Sequence, residues 1–363
     1  MTDRPWLKNY PAGMPANINP DQYPNLMAIL DETFKKYGNK PAFVGFGKEL
    51  SFSEVDKMSR NFAAYLHSRG LEPGDKIALM MPNLLQYPVA LFGALRAGLV
   101  IVNTNPLYTP REMAHQFNDS GVKAIVIAEN FAANLQQIIG KTAIKTVIVT
   151  SLGEMLGIKG ILVNAVVRYV KRLVPAYKLV NTVSFTEAVE GGKKFELPTW
   201  AAAASDVVFL QYTGGTTGVS KGAMLTNRNM VANMLQMRAI IEPSFSSTVP
   251  CVALSPLPLY HIFACTVNAF GLFSLGFCSV LVTNPRDLPS VLKEFGRYKI
   301  SLMTGVNTLF NALMNHKDFT KTDFSNLKIV VAGAMAVQKL IDLDGDGRTD
   351  ILYKTGNCKG ASQ

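Results

Sequence analysis

The run Tyr212-Thr213-Gly214-Gly215-Thr216-Thr217-Gly218-Val219-Ser220-Lys221-Gly222 combines three kinds of group suited to holding a polyphosphate. Its glycines let backbone N–H groups approach an anion closely, Thr213, Thr216 and Thr217 offer hydroxyl donors, and Lys221 adds a mobile positive charge. No Gly-Lys-Ser/Thr closes the run, and it lacks the spacing of a GxGxxG dinucleotide fingerprint, so neither of those phosphate loops is present. A flexible Gly/Thr linker would need neither clustered hydroxyls nor a lysine. The expected phosphate contacts are therefore Tyr212, Thr213, Gly214, Gly215, Thr216, Thr217, Gly218, Lys221 and Gly222.

A loop of this kind needs a rigid strand in front of it, and Val207 to Tyr212 is an apolar run of suitable length. Similar buried-strand patterns occur at Lys76–Met81, Val100–Asn103, Lys123–Ala128 and Thr146–Thr150. They recur at Val252–Leu257, Phe277–Val282, Ile300–Thr304 and Ile329–Val331. Helical patterns lie between them. Ser53 to Asp56 reads as the start of a helix in which Val55, Met58, Phe62 and Leu66 recur at helical spacing before Gly70. Leu84 to Ala97 reads as a second helix, and Thr109-Pro110-Arg111-Glu112 as a capping box opening a third. This alternation predicts an α/β fold with mostly parallel sheets flanked by helices, and ligands beyond the carboxyl ends of the strands.

The 363 residues carry 36 Lys and Arg against 26 Asp and Glu, a formal charge of +10 that favours anionic ligands. No dense basic block with interleaved aromatics marks a nucleic-acid reader, so none is expected. Cys251, Cys265, Cys278 and Cys358 are widely spaced without a CxxC pair, which suits a reducing compartment rather than a disulfide or zinc framework. The N-terminus has no apolar core of a secretory signal, so cytoplasmic placement is expected. Ile262 to Val282 is uncharged and nearly long enough to span a bilayer, but its polar and glycine interruptions read as a buried helix followed by a strand. Ile158 to Val174 mixes apolar residues with Lys159, Arg168, Lys171 and Arg172. It reads as a basic amphipathic helix. Its simpler fate is to pack on the protein's own core, and its other fate is to lie in an anionic membrane interface, peripherally on the inner membrane.

The phosphate run closely resembles the signature of the adenylate-forming superfamily, which includes acyl-CoA synthetases, luciferases and peptide-synthetase adenylation domains. Ser220 stands where many members have proline. Pro258-Leu259-Tyr260-His261-Ile262-Phe263 resembles a second motif of that superfamily. Asp21-Gln22-Tyr23-Pro24, Asn103-Thr104-Asn105-Pro106-Leu107-Tyr108, Thr283-Asn284-Pro285-Arg286-Asp287 and Thr304 to Phe310 look like its bacterial long-chain fatty-acid-CoA ligase subgroup. The resemblance implies the large N-terminal domain of an adenylate-forming enzyme, with Tyr260 and His261 as catalytic residues where an acyl carboxylate meets the α-phosphate. It also implies ATP, Mg2+, CoA and a long-chain fatty acid as reactants and cofactors, in fatty-acid metabolism.

The resemblance runs to Gln338, giving an expected division into an incomplete AMP-binding domain over 1–338 and an unrelated tail over 339–363. In the tail, Asp342, Asp344, Asp346 and Asp350 have the alternate spacing of a calcium loop with Gly347 at the turn, but Tyr353 stands where an EF-hand has glutamate. These four are candidate metal ligands, and Ca2+ binding there is expected to be weak. Two functions stay open at this point: a long-chain fatty-acid-CoA ligase impaired by truncation, or a non-catalytic peripheral membrane protein that binds ATP or acyl groups.

Overall fold

The computed structural model describes residues 4–10, 13–213, 220–245 and 251–333. Thirteen strands occur among them: β1 Pro41–Gly45, β2 Lys48–Ser51, β3 Lys76–Met80, β4 Val100–Asn103, β5 Val122–Ala128, β6 Thr146–Thr150, β7 Thr182–Ser184, β8 Val207–Thr213, β9 Lys221–Thr226, β10 Val252–Ser255, β11 Cys278–Leu281, β12 Leu302–Gly305 and β13 Ile329–Ala332. They form a seven-stranded sheet in the order β7-β6-β5-β3-β4-β8-β9 and a six-stranded sheet in the order β13-β12-β10-β11-β1-β2. Each sheet is parallel except for one antiparallel edge strand, β9 in the first and β2 in the second. The expected α/β architecture is therefore present, and all nine strands read from the sequence exist.

Helices connect the parallel strands. The helix Phe52–Ser68 starts two residues earlier than its pattern suggests, because Ser51 rather than Ser53 caps it and Glu54 completes a capping box. Thr109 and Glu112 form the expected box at the helix Pro110–Ser120, which ends on Gly121 in the left-handed conformation. Helix Gln86–Arg96 is buried around its whole circumference. Its Phe92 packs 6.4 Å from Phe43 of β1, while its Tyr87 hydroxyl bonds Asn103 of β4, so one helix joins the cores of both sheets. Phe34, Phe52, Phe270 and Phe273 complete an aromatic cluster around it.

The segment Ile262–Val282 is helical from Ile262 to Leu272 and then enters β11, as expected. Among the described residues no helix is long and apolar enough to cross a membrane. The segment after β6 differs from its simpler expectation. It is helical over Ile158–Ala165 and continues as a wider π turn over Val166–Val170, but its apolar stripe does not pack on the core. Ile158, Ile161 and Leu162 are all exposed.

Candidate active site

Chain order and spatial order disagree at two places, and the candidate site lies there. In the seven-stranded sheet β4 and β5 lie on opposite sides of β3, and in the six-stranded sheet β11 and β12 lie on opposite sides of β10. At such switch points successive connections leave in opposite directions and open a crevice beyond the carboxyl ends of the strands. A cavity of about 570 Å3 lies beyond the carboxyl ends of the two switch-point strands, β3 and β10, and of their neighbours β4, β5 and β11. Pro82 and Asn83 follow β3, Pro106 and Leu107 follow β4, Pro258 and Tyr260 follow β10, and Thr283 and Arg286 follow β11; all line it. Arg286 is the sole charged side chain on its wall among the described residues.

A buried polar network fixes the loop that carries Tyr260. Asn83 donates to the carbonyls of Ser255 at 3.0 Å and Leu257 at 2.9 Å, and its side-chain oxygen accepts the N–H of Leu259 at 2.8 Å. Thr283 donates to the Asn83 carbonyl at 2.8 Å. The Tyr87 hydroxyl lies 2.8 Å from the Leu259 carbonyl and 2.7 Å from Asn103 Oδ1. Gln211 of β8 then reaches the Tyr260 carbonyl at 3.5 Å, which links the strand before the phosphate run to the second motif. Buried amides suit this task because each one satisfies donors and acceptors on several loop groups at once.

Of the expected phosphate contacts, Tyr212, Thr213, Lys221 and Gly222 are described, whereas Gly214, Gly215, Thr216, Thr217 and Gly218 lie outside the described residues. Strands β8 and β9 make a hairpin on which Thr213 pairs with Lys221 and Tyr212 with Gly222. Thr213 and Lys221 are exposed at its open end. Tyr212 is turned to the other face: its hydroxyl donates to Asp119, and burial first, then that carboxylate, pushes the phenol well above its usual value. Its ring lies on Gly222, where a Cβ would come within 2.9 Å of it, so a side chain at Gly222 would have to displace the ring. His115 lies 3.1 Å from the Ser220 carbonyl, and the helix Pro110–Ser120 thereby braces the hairpin at two points.

Tyr260 is half-buried, and burial raises its phenol above the usual value. His261 caps the helix that follows; its N–H donates to the Pro258 carbonyl at 3.0 Å, and its own carbonyl accepts from Cys265 at 2.9 Å. As a whole residue His261 is exposed, yet desolvation by surrounding protein lowers its ring below the ordinary histidine value, so the neutral imidazole prevails at neutral pH. Asp342, Asp344, Asp346 and Asp350 lie outside the described residues.

A larger hollow of about 780 Å3 lies at the amino ends of β3, β4 and β8. It is lined by the carboxylates Asp119 and Asp206 against the single cation Lys76, a poor setting for a polyphosphate. The residues that sequence reasoning passed over are Asn83, Tyr87 and Gln211 in the network and His115 and Asp119 behind the hairpin. Asn83, directly after an apolar run and Pro82, was the one position whose polarity at a strand end offered a signal.

Comparison with known proteins agrees with this architecture. Over 338 residues the chain is 51% identical to a long-chain-fatty-acid-CoA ligase of Salmonella typhimurium, covering 93% of this chain and 60% of that protein. It is 47% identical to the ligase of the same description from Haemophilus influenzae, with the same coverage. The chain thus spans about 60% of the length of the curated relatives it matches. Among solved structures, an anthranilate CoA ligase bound to anthranoyl-AMP matches with a TM-score of 0.73 at 19% identity, over 88% of this chain and 57% of that one. A long-chain-fatty-acid-CoA ligase from Archaeoglobus fulgidus matches with a TM-score of 0.71 at 23% identity, over 90% of this chain and 61% of that one. The profile of the AMP-binding enzyme family matches residues 30–342, and this chain belongs to that family.

Proposed function

We propose that this chain provides the ATP- and acyl-binding part of a long-chain fatty-acid-CoA ligase. The observation that carries the reading is the cavity at the joint switch points of the two sheets, with Tyr260 on its wall and Gln211 leading from it to the phosphate hairpin. In the reaction a carboxylate oxygen of the fatty acid attacks the α-phosphorus of ATP, and the bond to the β-phosphate breaks. Acyl-adenylate and pyrophosphate result. The CoA thiol then attacks the acyl carbon, loses its proton, and AMP leaves.

In this scheme Lys221 and Thr213, with Gly214, Gly215, Thr216, Thr217, Gly218 and Gly222, hold the phosphates, while Tyr212 anchors the hairpin from behind. Tyr260 shapes the approach of the carboxylate. Neutral His261 can donate an N–H to a carboxylate or phosphate oxygen without adding a full charge. Among the described residues no group of three or more His, Cys, Asp and Glu side chains could hold a metal. Mg2+ would enter with ATP as the counter-ion of its phosphates. The fatty acid would be met at an anionic membrane surface.

The test is pyrophosphate release from ATP and Mg2+ upon addition of a long-chain fatty acid. Acid-dependent release supports the ligase reading. Nucleotide binding without acid-dependent release contradicts it and favours a non-catalytic ATP-binding protein.

A further inference from the structure

The segment from Ile158 to Leu173 is mounted inside out. Ile158, Ile161, Leu162, Tyr169, Val170 and Leu173 follow spacings of three, four and seven residues along one side and are 53% to 89% exposed. The opposite side carries Gly160, Asn164, Val167 and Arg168, and this is the side that meets the protein. Gly160 lies so close to Gly153 that a Cβ on it would come within 1.8 Å of the Gly153 carbonyl oxygen. Asn164 accepts from the Gly153 N–H at 2.8 Å and donates to Ser151 at 2.9 Å. Arg168 forks onto the buried Glu129, with contacts of 2.6 to 3.1 Å. Polar and glycine contacts clamp the segment, and the apolar stripe is held outward.

We infer that this stripe is a docking edge for an anionic phospholipid bilayer. Charge complementarity selects the occupant. Lys159, Lys171 and Arg172 are exposed on or beside the stripe, and no Asp or Glu occurs between Glu154 and Glu187. An apolar stripe rimmed by cations without acids matches the boundary between acyl chains and anionic headgroups. The geometry also connects the edge to the candidate site, because Leu173 ends the stripe and lines the 570 Å3 cavity. On the fatty-acid reading proposed above, and resting on it, an acyl chain would enter that cavity directly from the lipid.

The docking edge is tested without nucleotide or fatty acid, so its outcome is separate from that of the ligase reading. The whole chain is floated with vesicles of phosphatidylcholine alone and of phosphatidylcholine mixed with phosphatidylglycerol. Binding is expected to the mixed vesicles only, and to weaken as salt rises. The doubly substituted Ile161→Glu, Leu162→Glu protein is expected to lose binding more than tenfold. Lys159→Gln with Lys171→Gln is expected to weaken it about 25-fold, at roughly fivefold per cation. All four side chains face solvent, so melting curves should match the parent, and Phe195→Glu, exposed elsewhere, should bind normally. Equal binding to both vesicle types, binding retained by the Glu pair, or a dimer in sedimentation that the Glu pair dissolves would each overturn the inference.

Discussion

The side-chain oxygen of Asn83 accepts the backbone N–H of Leu259 at 2.8 Å, joining residues 176 positions apart and tying the end of β3 to the loop after β10. The same amide donates to the Ser255 and Leu257 carbonyls, so one side chain satisfies three buried backbone groups. Asn83→Ala should leave all three unpaired and cost about 3 kcal/mol of stability, measured by urea unfolding. Asn83→Asp keeps the acceptor but sets a carboxylate against the buried Ser255 and Leu257 carbonyls, and should cost at least as much. A loss below about 1 kcal/mol in Asn83→Ala would show that the loop is held by other means.

Lys221 is exposed at the open end of the β8–β9 hairpin, opposite Thr213. Removing one charged hydrogen-bond donor to phosphate typically costs about 2 kcal/mol, so Lys221→Ala should bind ATP roughly thirtyfold more weakly by calorimetry. Lys159→Ala should bind ATP as the parent does. Equal affinity in the parent and Lys221→Ala would remove the hairpin from the nucleotide site.

Arg168 is the partner of Glu129, a carboxylate only 3% exposed at the end of β5. Arg168→Ala should strand that charge and cost about 2 kcal/mol, below the usual value for a buried pair because the guanidinium is partly solvated. Adding Glu129→Gln should recover part of the loss. Thermal unfolding of both proteins measures it, and no recovery would mean that Arg168 contributes packing rather than charge.

His261 has a folded-state pKa below its ordinary 6.5, because desolvation disfavours the imidazolium. Above about pH 6.5 both states are neutral and the group's contribution is fully present. As pH falls below that value, the unfolded chain takes up a proton that the folded chain resists, and stability is lost. His261→Gln should therefore lose less stability between neutral and mildly acidic pH than the parent. Ring titration by NMR should give His261 a midpoint below 6.5; a midpoint above it would reverse the sign.

The sheets were legible because their central strands are buried on both faces and leave unbroken apolar runs, as at Lys76–Met80 and Val252–Ser255. Among the described residues four strands were missed: the five-residue β1, the three-residue parallel edge β7, and β2 and β9, these last two for the converse reason. Each of these two is an antiparallel edge with mixed burial, and Lys221–Thr226 reads as polar loop when taken alone. The phosphate run stood out by residue type, and Tyr260 by the resemblance of its surrounding motif. The amides that position them did not, since Asn83, Asn103 and Gln211 gain their meaning from partners far away in the chain. For Ile158–Leu173, periodicity gave the amphipathic stripe but not its direction. That direction is set by Gly153 and Glu129, which lie outside the segment.

The central claim is that the hairpin and the switch-point cavity form one site for an acyl group joined to adenylate. Calorimetric titration with a long-chain acyl sulfamoyl-adenosine, a stable mimic of acyl-adenylate, tests this without requiring turnover. The mimic should bind at least about a hundredfold more tightly than AMP or the fatty acid alone, since both halves would be held at once. It should outbind its acetyl counterpart, and Tyr260→Ala should weaken it at least about tenfold, the cost of one lost aromatic contact. Affinity no better than that of AMP, or equal affinity for the acetyl and long-chain mimics, would contradict the account.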